Sequence, residues 1–161
     1  MPRNSLRSQI KSIISNSPDF VFMPRDFFYL SDRDQVGRAL RQLTREQFLV
    51  KIGYGVYVKT RVSEYTGKVL PYTDLRSIAE ATLNKLGVGI FPTKYEIDYN
   101  TRQSTQVPSG FVVGVDKRIS RKLSYGDASI KYAKVRWSLC KRSFTFYQHS
   151  SSLYRKRLLH C

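Results

Sequence analysis

An α+β fold is what the sequence predicts: an N-terminal unit of helices closed by a hairpin, then a small α+β unit with an antiparallel sheet. Three observations lead there. Apolar residues recur at helical spacing between Ser5 and Gln47. Two short β-type runs then flank Gly53-Tyr54-Gly55. Further β-type runs, separated by turn-forming pairs, follow Phe111.

The first helix is expected over about Ser5–Ser15, with Leu6, Ile10, Ile13 and Ile14 on one face and Arg7 and Lys11 away from it. Asn16-Ser17-Pro18 ends it, and Phe20-Val21-Phe22 can pair as a brief strand. Pro24 opens a short second helix carrying Phe27, Phe28 and Leu30, at a position where its missing N–H does no harm. Ser31 or Asp32 caps a third helix at about 32–47. Its buried stripe is Val36, Ala39, Leu40 and Leu43, all within about 60° of Val36 at about 100° per residue. On the same wheel Arg38, Arg41 and Arg45 fall at about 200°, 140° and 180°, opposite the stripe. The runs Phe48–Ile52 and Val56–Lys59 then form a hairpin around the two glycines. Helix, short helix, longer helix and hairpin is the order of a winged helix-turn-helix, assigned to residues 1–60.

Residues 61–72, with Gly67 and Pro71, read as a linker. Thr73 is expected to cap a fourth helix to about Leu86, with Leu75, Ile78, Ala79, Thr82 and Leu86 on one face and Gly87 as its stop. Another helix is possible at 93–103. Strands are expected at Phe111–Val115, about Arg121–Tyr125 and Ile130–Val135, with turns at Asp116-Lys117 and Gly126-Asp127. Together with a basic tail these make up the second unit, 73–161. In the tail, Phe144, Phe146 and Tyr147 suggest one further strand before a looser end.

Charge bounds the function. The chain carries 28 Lys and Arg against 12 Asp and Glu, a net +16. The excess is spread: +5 over residues 1–60, +5 over 61–134 and +6 over 135–161, the last with no acidic residue. Such a balance calls for a polyanion, and phosphate backbones are the usual one; solubility alone is the plainer explanation. Cys140 and Cys161 make no disulfide framework. The basic start is not followed by an apolar signal core, and no run approaches the ~18 apolar residues of a membrane span. An intracellular protein with reduced thiols is expected, and no membrane partner. The cluster Arg155-Lys156-Arg157 leaves a nucleus open in principle.

The third helix carries the functional expectation. A helix that reads DNA needs one apolar face to anchor it and one face of Arg, Gln, Asn or Lys to meet base edges. Arg38, Arg41 and Arg45 centre on the outward side, Gln35 and Gln42 lie at its edge, and Arg33 sits near the N-terminus. A solvated basic face is the plain alternative. Lys51 and Tyr54 are candidates for wing contacts, whereas Tyr57 is expected to pack. Arg25, beside Pro24, is a candidate phosphate contact. Asp26 and Asp34 imply that the contact face is narrow.

Catalytic signals are thin. His149 and His160 lie in the tail without nearby carboxylates, and His160-Cys161 is too short to build a zinc site. No Gly-rich phosphate loop or nucleophile motif is present. Glu96 and Asp98 would not share a helical face and are read as surface carboxylates. Neither an enzyme nor a cofactor or metal is expected.

Val21-Phe22, Asp26-Phe27, Leu30, Ser31 with Arg33, Ala39-Leu40 with Leu43, then Gly53, Gly55 and Tyr57 together resemble the N-terminal winged helix of AbiEi-type antitoxins. The stretch 104–108, STQVP, followed by the strand at Phe111–Val115, resembles the start of that family's second domain, and the likeness covers roughly residues 5–135. The chain departs from it at Val50-Lys51 and Tyr54, where relatives often carry an arginine pair and a basic tip. The resemblance implies a bacterial, cytoplasmic regulator that represses its own operon. It also implies a functional pairing with a nearby-encoded nucleotidyltransferase toxin, of the type IV kind in which the two need not touch. Double-stranded DNA is thus the expected partner, bound by a monomer or a homodimer. Two rivals stand beside it: an RNA- or ribosome-binding protein with the aromatic-rich second sheet as a stacking platform, and an adaptor for an acidic protein.

Overall fold

Helix α1, Leu6–Asn16, begins where Ser5 Oγ accepts from the backbone N–H of Ser8 at 3.3 Å. It is the first element of a computed structural model that describes residues 5–107 and 109–135. Strand β1, Val21–Phe22, and a 3-10 turn at Pro24–Phe27 follow. The short second helix expected from Pro24 is thus a single tight turn, closed by Met23 N–H donating to Asp26 Oδ2 at 2.9 Å. Helix α2, Arg33–Arg45, is capped by Asp32, whose Oδ1 accepts from Gln35 N–H at 3.0 Å. It ends with Gln47 at φ 58.

Strand β2, Leu49–Gly53, and strand β3, Val56–Val62, form the expected hairpin, with Gly55 at φ 64 supplying the left-handed turn residue. β3 lies between its neighbours in the order β1-β3-β2, and its far half pairs with β4, Val69–Pro71. The expectation of a linker over 61–72 is therefore corrected. Arg61 and Val62 pair with Leu70 and Val69, and Gly67, at φ 64, sits in the loop that turns the chain back. Pro71 suits a strand with a free edge, since proline has no N–H to offer a ladder.

The two faces of this sheet fill different cores, because successive strand residues point to opposite sides. Phe22, Leu49 and Tyr57 join Ile10, Ile14, Phe27, Val36, Ala39, Leu40 and Leu43 beneath α1 and α2. Val21, Ile52, Val56 and Val58 join Ile78, Ala79 and Leu83 of helix α3, Leu75–Lys85, together with Val113, Val115, Leu123 and Ile130. Each such aliphatic side chain contributes ~1.5–3 kcal/mol on leaving water. The N-terminal sheet is thus covered on both sides, and the second half of the chain supplies one cover. Lys85 strengthens that seam, with Nζ 3.1 Å from Asp19 and 3.2 Å from Asp26.

The N-cap of α3 is Asp74, one residue after the expected Thr73. Its carboxylate accepts from Ser77 N–H at 2.9 Å while Thr73 Oγ1 donates to it at 3.1 Å, and a negative charge suits a helix N-terminus better than a hydroxyl. Strand β5, Ile90–Phe91, and helix α4, Lys94–Asn100, come next. Glu96 is no surface carboxylate. It accepts from Thr93 N–H at 2.7 Å in a capping box and is ion-paired with Arg76.

Strand β6, Val112–Val115, pairs antiparallel with β5 and parallel with β9, Lys131–Lys134. The small hairpin of β7, Ser124–Tyr125, and β8, Ala128–Ser129, lies between them in the chain. The expectation of an antiparallel sheet holds for β5–β6 and for β7–β8, and is corrected for β6–β9. Residues 116–130 form a crossover long enough to bring the chain back to the end of β6 from which it started, as a parallel pair requires. The chain is therefore mixed α+β. The strand expected around Phe144, and His149, His160, Cys140 and Cys161, lie outside the described residues.

Candidate nucleic-acid interface

Helix α2 divides its side chains sharply. Val36, Leu40 and Leu43 are 0% exposed and Ala39 6%, so the helix cannot rotate without lifting its whole apolar stripe into water. Arg33, Gln35, Arg38, Arg41, Gln42 and Arg45 are all exposed. Arg38, Arg41, Gln42, Arg45 and Glu46 line one shallow depression. Glu46 is ion-paired with Arg7 of α1, which offsets its negative charge there.

The other basic residues sort into those spent within the fold and those left open. Lys59 Nζ donates to Ser17 O at 2.6 Å, Lys11 lies 5.1 Å over the Phe48 ring, and Lys85 and Arg76 hold ion pairs. Arg25, expected at phosphate, donates to the backbone carbonyl of Lys85, at the C-terminus of α3 where a cation is favoured. Arg33, Arg38, Arg41, Arg45 and Lys51, by contrast, make no ion pair among the described residues.

The hairpin joins this face. Lys51 and Tyr57 are direct cross-strand partners, so their side chains share one side of the sheet. Tyr57 is buried against α2, as expected. Burial pushes its hydroxyl above the usual phenol range, and the charge of Arg41 partly opposes the shift. Arg41, Tyr57 and Lys51 thus run from the helix onto the hairpin. Tyr54 stands at the tip, 74% exposed.

A family of unknown function, DUF6088, matches residues 7–142. The chain belongs to that family. No curated protein and no solved structure matches it. The stretch matched to DUF6088 runs from α1 through β9, so it takes in both hydrophobic clusters and the seam between them.

Within this DUF6088 chain, Arg38, Arg41, Gln42 and Arg45 of the residues expected to face a ligand line one depression, Arg33 and Gln35 are exposed on α2 outside that lining, and Lys51 and Tyr54 are exposed on the hairpin. Arg25, also exposed, bonds to the end of α3. Periodicity and motif gave no reason to single out Lys117, Arg118 and Lys122. All three are exposed, and the segment that carries them reaches the hairpin tip, where Gly53 bridges Leu123 and Arg121 Nη1 donates to Tyr54 O at 2.8 Å. Their density in a short loop is visible in the sequence; the docking of that loop on the hairpin through Arg121, Lys122 and Leu123 is a tertiary fact with no local signal. Among the described residues no group of His, Cys, Asp and Glu could hold a metal ion, and no helix is long and apolar enough to cross a membrane.

Proposed function

We propose that this chain is a sequence-specific double-stranded DNA-binding regulator of transcription, and that its first sixty or so residues work as a winged helix-turn-helix. One observation carries the reading: α2 buries Val36, Ala39, Leu40 and Leu43 while Arg38, Arg41 and Arg45 stand in solvent with no ion pair among the described residues. Leaving three guanidinium groups unpaired on one face gains nothing for folding. It suits a ligand that brings its own negative charge and its own acceptors.

The wiring supports the same reading. The succession of α1, β1, the 3-10 turn, α2, β2 and β3, with sheet order β1-β3-β2, is compatible with a winged helix-turn-helix if one tight turn stands in for the second helix. An α-helix about 10–12 Å across fits a major groove ~12 Å wide. In that pose Arg38, Arg41 and Arg45 donate to guanine O6 and N7 or to flanking phosphates, and Gln35 and Gln42 address adenine edges. Arg33 meets the groove at the helix start, Lys51 and Tyr54 touch backbone beside it, and a second copy extends the site by two-fold symmetry. No catalytic role is assigned.

The resemblance to AbiEi-type antitoxins takes the proposal one step further, to autorepression of an operon in the bacterial cytoplasm that also encodes a nucleotidyltransferase toxin. A nucleotidyltransferase gene directly downstream is what that step requires; without one the reading is a stand-alone regulator.

Selection from a pool of random duplexes tests the core of the reading. The chain is expected to enrich a defined sequence, and excess RNA of mixed sequence is expected to leave the complex intact. Recovery of no sequence above background, or displacement by RNA at equal concentration, overturns it.

A further inference from the structure

We infer that the loop Lys117–Lys122 of the second unit acts with the β2–β3 hairpin as one composite wing, and that its Lys117, Arg118 and Lys122 bind the phosphate backbone of duplex DNA. The inference rests on the reading of α2 as the groove-facing helix.

Three contacts fix the loop to the hairpin. Gly53, on β2, makes an antiparallel bridge with Leu123, whose side chain is 1% exposed in the core shared with α3. The backbone approach is close: a Cβ on Gly53 would stand 2.5 Å from Lys122 O, so only glycine admits the loop here. Arg121 Nη1 then donates to the carbonyl of Tyr54, at the hairpin tip, at 2.8 Å. Arg121 is a positioning residue, holding the turn from outside.

What this brings to the tip is charge. The loop reads Lys-Arg-Ile-Ser-Arg-Lys, with no acidic residue. The preceding Asp116 is exposed but held locally, its Oδ1 accepting from Gly89 N–H at 3.0 Å. Lys117, Arg118 and Lys122 are exposed and make no ion pair among the described residues. The hairpin alone offers only Lys51 near its tip. Anchored by Leu123, the loop adds a dense cationic edge, and a preset edge loses less entropy on binding phosphate than a free arm would. Interactions of this kind hold register and carry no sequence information.

The test is the salt dependence of binding, measured by fluorescence anisotropy on a duplex of mixed sequence. The whole chain is compared with the triple variant Lys117→Ala, Arg118→Ala, Lys122→Ala. A charge-matched control, Lys94→Ala, Lys131→Ala, Lys134→Ala, changes exposed residues on α4 and β9. Thermal midpoints check that all three proteins fold alike. In the loop variant the slope of log Kobs against log salt is expected to fall by about 0.9 for each phosphate that the removed side chains neutralise in the parent chain. The control keeps the slope of the parent chain. An unchanged slope in the loop variant, or equal falls in loop variant and control, overturns the composite wing while leaving duplex binding intact. Failure of the parent chain to bind any duplex overturns the proposed function, and the composite wing with it.

Discussion

Arg41 on α2 and Tyr57 on β3 are electrostatic neighbours: the guanidinium charge opposes the rise that burial imposes on the phenol's pKa. This pair couples the helix with the open arginines to the strand facing Lys51. It has a titration consequence. Tyr57, like Tyr132, has its pKa raised in the folded chain. Such a group contributes stability that is fully present below the unfolded phenol value and is lost as pH rises through the folded one. Stability is therefore expected to drop on the alkaline side of the phenol range. Arg41→Ala, by removing the opposing charge, should move the Tyr57 titration further up. Denaturant melts across that range, paired with NMR of labelled tyrosine, check both. Tyr57 titrating at the same pH in parent and variant would show that the two do not interact.

Asp74 supplies the acid-side counterpart. Hydrogen bonds from Ser77 and Thr73 hold its carboxyl below the usual carboxylate range, outweighing a smaller opposing effect of burial. A depressed pKa gives stability that is present above the unfolded carboxylate value and lost as pH falls through the folded one. Asp74→Ala should cost about 0.5–2 kcal/mol at neutral pH through loss of the cap. The gap between parent and variant should close as the medium is acidified. Thermal melts at several pH values read it, and a gap that stays constant into acid would refute the assignment.

Two glycines make opposite predictions. At Gly37, in the interior of α2, a Cβ would meet nothing within 4 Å, so Gly37→Ala should stabilise the chain by about 0.4–1 kcal/mol through the unfolded state. At Gly53 the Cβ would meet Lys122 O at 2.5 Å, and Gly53→Ala should cost about 1–3 kcal/mol by overpacking. Chemical denaturation of the two variants checks the pair. Equal effects of the same sign would mean that the loop does not press on the hairpin.

Gly53 also marks where the sequence stops being legible. Both glycines of Gly53-Tyr54-Gly55 read as turn residues, and the hairpin follows from them. Only Gly55 has the left-handed φ; Gly53 is needed for a neighbour seventy positions along the chain, which no local pattern announces. Helix α2 is legible nearly to the residue, because a 3.6-residue period and an Asp cap are local signals. The 61–72 stretch misleads because Gly67 and Pro71 signal a turn and an edge as well as a linker, and the partner strand decides which. Glu96 misleads for a related reason, and the contact made by Arg25 is equally hidden from the sequence. Each meets a group distant in sequence or at a helix terminus, the carbonyl of Lys85 for Arg25 and Arg76 with Thr93 for Glu96. The open arginines are legible because exposure on an amphipathic helix follows from periodicity alone.

Those arginines decide the proposed function. Its most direct test is an anisotropy titration of Arg38→Ala and Arg41→Ala on the duplex enriched by selection, beside a scrambled duplex of equal length. Each variant should bind the enriched duplex more weakly by about 1–3 kcal/mol, and the scrambled one much less so. Binding to the enriched duplex as tight as that of the parent chain, in both variants, would contradict it.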